Sequence, residues 1–234
     1  GRTTLTARMA MAQSAVAQMG AAMLSVHGRE SAAVIVNPVA RGLLKAGMTP
    51  NVTTLVGTAA TILVSVVLIP MDFLVLAAVL SAFFAAFDMV DGTMARLSGG
   101  GTAFGATLDA SCDRLTDGAL FGAIAVWFVY VDGASPITVA VTLAVLVLSQ
   151  VISYIKARGE AGGLTINGGL IERPERLIVA FIGLALEGVG VGHSLAAAMW
   201  LLLAGSLITV VQRFLLAARD ERAHDRIAPP TGVA

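Results

Sequence analysis

Six apolar runs separated by short polar breaks dominate the chain after residue 50. Thr53–Met71 carries no charge. Phe73–Phe87 is apolar and continues, as a helix, into the polar stretch Asp88–Arg96. Gly105–Val131 begins polar and turns apolar from Gly118. Ile137–Ile155 and Leu195–Gln212 are uncharged, while Leu177–Val191 is shorter and holds Glu187 near its end. Crossing ~30 Å of hydrocarbon takes roughly 20 helical residues. Lipid cannot hydrogen-bond an open backbone, and no run shows the alternation of a barrel strand. The pattern therefore predicts an all-α polytopic membrane protein with six transmembrane helices.

The breaks sort by charge. Pro70–Asp72, Val131–Pro136 and Gly188–Ser194 contain no Lys or Arg. All fifteen basic residues fall in the N-terminal segment, the 2–3 and 4–5 connections with their helix ends, and the C-terminal tail. Positive charge marks the cytoplasmic side, so both termini are expected there. Before the first span, Val34–Ala46 mixes Ile35, Val39, Leu43 and Leu44 with Arg41 and Lys45, the pattern of an amphipathic helix lying at the interface. The expected plan is an N-terminal extension (1–30) without a clear signal-peptide core, a membrane domain (31–219) and a cytoplasmic tail (220–234). No internal repeat is evident.

Composition agrees: 57% of residues are hydrophobic and 13% charged, with a mean hydropathy of +0.86. A formal net charge of zero gives no field for nucleic acid. The single cysteine, Cys112, excludes an intrachain disulfide framework and makes a cysteine-based zinc site improbable.

Against this apolar background four acids stand together: Asp88 and Asp91, then Asp109 and Asp113, on two consecutive helices joined at Gly99-Gly100-Gly101. At 3.6 residues per turn each pair shares a face, and Gly92, Ala95 and Gly105 keep those faces small. An aspartate at a helix centre costs ~2.5–3.5 kcal/mol to insert, and clustered acids repel. Protonation or a cation must relieve that. Oxygen donors without His or Cys suit Mg²⁺, Mn²⁺ or Ca²⁺, and two ions ~3.5–4 Å apart would clamp a phosphoryl group. Asp117, one turn beyond Asp113, is balanced between a supporting role and pairing with an arginine.

The run D-x-x-D-G-x-x-A-R-x(8)-G-x(3)-D-x(3)-D, Asp88 to Asp113, resembles the signature of the CDP-alcohol phosphatidyltransferases at every fixed position. The resemblance implies Asp88, Asp91, Asp109 and Asp113 as ligands of two Mg²⁺ (or Mn²⁺) ions, with Asp113 also the catalytic general base. It implies a CDP-diacylglycerol site at Gly92, Ala95 and Arg96, with Thr102 near the diphosphate and Asn51, Val52, Thr53 and Thr54 as a further part. It also implies a homodimer in the cell membrane, working on membrane lipids with its active site facing the cytoplasm.

Ser149-Gln-Val-Ile-Ser-Tyr-Ile-Lys156-Ala-Arg158-Gly-Glu160 and Ile171-Glu-Arg173-Pro174-Glu-Arg176-Leu177 are similar to the phosphatidylinositol phosphate synthase branch found in actinobacteria. That branch implies inositol 1-phosphate as acceptor, its phosphate met by Lys156, Arg158, Arg176 and Arg213. Arg173, just before a proline, is expected only to orient. Phosphatidylglycerol phosphate synthesis, from glycerol 3-phosphate, is the nearest alternative; serine or free inositol would need less basic lining. An intramembrane divalent-cation transporter would place its acids near the midplane of duplicated halves, unlike these. His27, His193 and His224 are too scattered for a metal site, Cys112 reads as a packed helix residue, and Trp127 and Trp200 suit either interfacial anchoring or packing.

Overall fold

The computed structural model describes residues 36–225, and every regular element among them is helical. The expectations for residues 1–30, His27 among them, and for the tail from residue 226 on lie outside the described residues. Residues 36–45 form α1, with Ala40 buried and Arg41 and Lys45 exposed. Then follow α2 (Pro50–Leu68), α3 (Leu74–Leu97), α4 (Ala103–Trp127), α5 (Pro136–Ala161), α6 (Arg173–Gly188) and α7 (Ser194–Arg219). Two compact units divide them: one holds residues 36–53 with Met89–Thr102, the other Thr54–Asp88 and residues 103–225.

Five of the six expected spans are long and apolar enough to cross a bilayer: α2, α3, α4 with its extension to Asp132, α5 and α7. Large apolar side chains such as Leu63, Phe83, Val147 and Leu201 remain exposed on them, as lipid-facing residues would. The chain is a multi-pass membrane protein. α6 differs. Its 16 residues reach about 24 Å, short of the usual crossing, and it is a two-faced helix that buries Arg176, Ala180, Gly183 and Leu184 while exposing Ile178, Ile182 and Leu186.

Local chemistry sets the helix ends. α4 widens into a π-helical turn over Phe128–Asp132 that closes at Gly133, whose positive φ suits glycine. Ser135 caps α5, accepting the Thr138 N–H, and Pro136 opens its first turn. α6 starts four residues before the apolar run because Glu172 and Glu175 form a reciprocal capping box around Pro174. His193, at positive φ, does not cap α7 with its side chain. Instead Glu187 reaches over from α6 and accepts from the His193 and Leu195 N–H groups and the Ser194 hydroxyl.

The core of the second unit gathers Leu120, Phe121 and Ile124 of α4, Val145 of α5, Leu184 of α6, and Leu195, Met199 and Leu202 of α7. Gly183 lets α6 and α7 close: a Cβ there would stand 2.7 Å from that of Ala198. Trp127 is a packing residue with a polar tether, its Nε1 donating to Asp72 Oδ1 at 2.7 Å, whereas Trp200 is half exposed. Cys112 is buried, as expected for a packed helix residue.

Candidate active site

The loop between α5 and α6 is stitched to α7, and this fixes where α6 begins. Leu170 N–H donates to Gln212 Oε1 and Ile171 N–H to Thr209 Oγ1, both at 2.8 Å. Gly205 makes the room, since a Cβ there would lie 2.4 Å from Ile171 Cγ1. Arg213 completes the join by donating to Ile152 O at 2.6 Å, Gly168 O at 3.3 Å and Glu172 Oε1 at 3.0 Å. Farther along, the Thr165 and Arg222 N–H groups donate to the Asp220 carboxylate and hold its pKa below the ordinary carboxylate value.

An open cavity of about 340 Å³ lies at this junction, lined by Asp113, Arg114, Lys156, Glu172, Arg173, Arg176 and Arg213 among others. Three of the four expected acceptor-phosphate residues are therefore brought together. Arg158 is exposed and does not line the cavity. Their situations differ. Arg213 spends its donors on the loop. Lys156 is 42% exposed and, among the described residues, has a loose contact with Glu160 at 3.9 Å, which leaves its ammonium available. Arg176 has no exposed surface; its Nη2 donates to the equally buried Asp117, while its Nε and Nη1 have no hydrogen-bond partner among the described residues. A buried cation with donors to spare beside a cavity suits an anion.

Asp88 of α3 and Asp113 of α4 converge on one guanidinium. Arg173 stands 2.9 Å from Asp113 Oδ1, 3.5 Å from Asp88 Oδ2 and 3.6 Å from Asp117 Oδ1, and donates to Thr116 Oγ1 at 3.1 Å. Arg114 lies 3.8 Å from both Asp113 and Asp117. Asp109 is exposed one turn before Asp113. Among the described residues no three Asp, Glu, His or Cys side chains form a ready cation cage. The donor set nevertheless fits a hard cation: the facing groups are carboxylates, and the space between Asp88 and Asp113 already takes positive charge.

The first unit holds most of the expected nucleotide residues. Thr53 is buried and its hydroxyl meets Met94 Sδ at 3.4 Å, which brings the Asn51–Thr53 start of α2 against the end of α3. There Gly92 N–H donates to the buried Asp91 at 2.6 Å, and Arg96 Nη2 donates to Thr93 Oγ1 at 2.7 Å. Arg96 is exposed beside Gly92, with Ala95 half-buried. Gly99 and Gly100 take positive φ after α3, and Gly100 N–H closes the helix on Ala95 O. Thr102 is exposed, while Thr54, in the second unit, is buried.

Two residues carry more than their sequence context suggested. Asp117 is the partner of Arg176 and Arg173, which resolves its two readings toward pairing. Arg173, expected only to orient, touches three carboxylates. The one signal for it was its place two residues into the Ile171–Leu177 segment, on the basic side of the membrane.

The acidic signature of a multi-pass helical protein, with its Asp113 lining a basic cavity, defines a class. Residues 47–212 match the CDP-alcohol phosphatidyltransferase family. The chain belongs to that family and is a phosphatidyl-transferring enzyme of phospholipid biosynthesis. It is 56% identical over 210 residues to a phosphatidylinositol phosphate synthase of Corynebacterium glutamicum, covering 90% of this chain and 96% of that one. It is likewise similar to the crystal structure of the Mycobacterium tuberculosis phosphatidylinositol phosphate synthase with CDP-DAG bound: TM-score 0.80 at 47% identity, over 83% of this chain and 99% of that chain. The mycobacterial enzyme in complex with manganese and citrate gives a TM-score of 0.78 at 47% identity, over 82% of this chain and 93% of that one.

Proposed function

We propose that the enzyme transfers the phosphatidyl group of CDP-diacylglycerol to inositol 1-phosphate, yielding phosphatidylinositol phosphate and CMP. The observation that carries this reading is the shared cavity: Asp113 lines it together with Lys156 and the underused Arg176. An acceptor anchored there by its phosphate would hold a hydroxyl near the Asp113 carboxylate. That carboxylate takes the hydroxyl proton as the oxygen attacks the lipid-side phosphorus; the bond to the CMP oxygen breaks and CMP leaves. The names of the relatives favour inositol phosphate over glycerol 3-phosphate as the phosphorylated alcohol.

By the signature, Asp88, Asp91, Asp109 and Asp113 would hold two divalent ions, Mg²⁺ or Mn²⁺; when bound, these would neutralise the diphosphate and the charge developing on it. A relative crystallised with manganese supports the ion class. Asn51–Thr54, Gly92, Ala95, Arg96 and Thr102 would receive the CDP end of the donor. The reading includes six spans with α6 as the fifth, α1 at the interface, cytoplasmic termini and a homodimer.

An activity panel tests it. Purified protein in detergent with CDP-diacylglycerol and Mg²⁺ or Mn²⁺ is offered inositol 1-phosphate, glycerol 3-phosphate, inositol and serine, and CMP release is followed. Inositol 1-phosphate should support the fastest turnover, and Asp113→Asn should abolish it while the protein still elutes as the native species. Turnover with glycerol 3-phosphate alone would refute the acceptor, and full activity after thorough chelation would refute the metal.

A further inference from the structure

Arg173 is the first residue of α6, yet its guanidinium reaches α3 and α4, within 3.6 Å of Asp88, Asp113 and Asp117. Its backbone is held from two sides, by the capping box around it and by the loop stitched to α7, so side-chain torsions are its freedom. Asp117 does not depend on it, being paired with Arg176. Asp88 and Asp113 share it, with Arg114 a further 3.8 Å from Asp113, and both belong to the signature set read above as divalent-ion ligands. A cation bound at about 2.0–2.1 Å to carboxylate oxygens, as magnesium is, takes the lone pairs that a guanidinium would use and repels it.

Resting on that metal reading, we propose that Arg173 is the resident counter-ion of Asp88 and Asp113, displaced when a divalent cation binds, and that its guanidinium then turns into the acceptor cavity, which it already lines. There it joins Lys156 and Arg176 as a third positive group for the acceptor phosphate. Arg173 is thus a positioning residue that couples the two sites: ion binding raises acceptor affinity, and by linkage the acceptor raises ion affinity.

Two measurements decide this, with Mn²⁺ alone as the probe. In detergent-purified wild type, arginines are labelled with p-hydroxyphenylglyoxal with and without Mn²⁺ and the rates are read by peptide mass spectrometry. Mn²⁺ should speed labelling of Arg173 at least about threefold and leave the pinned Arg176 and Arg213 unchanged. Separately, free Mn²⁺ is counted by electron paramagnetic resonance during titration of wild type and Arg173→Gln. The variant should bind Mn²⁺ about tenfold tighter, the scale of one lost charge-assisted competitor. If Mn²⁺ binds but Arg173 labelling is unchanged or slowed, the counter-ion role is wrong and the metal reading survives. An unaltered Mn²⁺ midpoint in Arg173→Gln has the same meaning. If wild type binds no Mn²⁺, both fall. Should Arg173→Gln fail to fold, the labelling of wild type decides alone.

Discussion

Replacing Asp117 by alanine would strand a buried guanidinium. Asp117 and Arg176 are both 0% exposed, and Asp117 Oδ2 is the hydrogen-bond acceptor for Arg176 Nη2. Arg176 Nε and Nη1 have no partner among the described residues to compensate. Removing one member of a buried pair costs about 3–5 kcal/mol. Arg173 and Arg114, at 3.6 and 3.8 Å, lose part of their neutralisation too, which favours the upper end. At roughly 2–4 °C per kcal/mol for a chain of this size, Asp117→Ala should unfold some 6–20 °C below wild type. Thermal unfolding in detergent, followed by loss of the native elution peak, reads this directly. The double variant Asp117→Ala/Arg176→Met removes both charges and should recover most of the loss, because apolar replacement of a buried pair is often neutral. A single variant within about 2 °C of wild type, or a double variant no better than the single, would refute the reasoning.

Lys156→Ala should raise the acceptor concentration for half-maximal CMP release about tenfold, with turnover at saturating acceptor little changed; steady-state kinetics on both variables checks it. Gly188→Ala should cost about 1–3 kcal/mol, since its Cβ would lie 2.7 Å from Val75 Cγ2 and 2.9 Å from the Val75 backbone nitrogen; the unfolding temperature should fall accordingly. The Thr165–Asp220 tie should be pH-dependent. Because the folded carboxylate titrates below its unfolded value, the tie is intact above the ordinary carboxylate pKa and is lost as pH falls through the depressed one. Hydrogen exchange at the Thr165 amide, corrected for its intrinsic rate, should show that loss, and Asp220→Asn should abolish the pH dependence.

Helix placement was legible because each relevant signal is local. The uncharged runs, Pro136 after Ser135 and the triple glycine each act within a turn or two, and the helices start and stop beside them. The acidic signature was legible as spacing along two helices. The arginines were not. Basic residues on one side of a membrane reveal which end of the bundle they occupy but not their direction around a helix. So Lys156, Arg176 and Arg213 reach one cavity while Arg158, two residues past Lys156, stays outside it. The Asp117–Arg176 pair spans 59 residues and depends on a long side chain of α6 reaching across to α4. The role of Arg173 depends on a loop anchored by Thr209 and Gln212, residues that carry no signature of their own.

The beginning of α6 assigns a distinct direction to nearly every residue. Glu172 grips Arg213, Arg173 points to the acids, Glu175 turns back to the Glu172 N–H, and Arg176 enters the core to meet Asp117. Such a terminus behaves like a key cut on several sides. One inserted residue after Arg173 would swing everything beyond it by about 100° and shift it about 1.5 Å along the axis, so that a charge now matched inside would face lipid or its own kind. Length changes should therefore be far less tolerated here than point changes, and evolutionary drift in the preceding Gly-rich loop should stop short of Glu172.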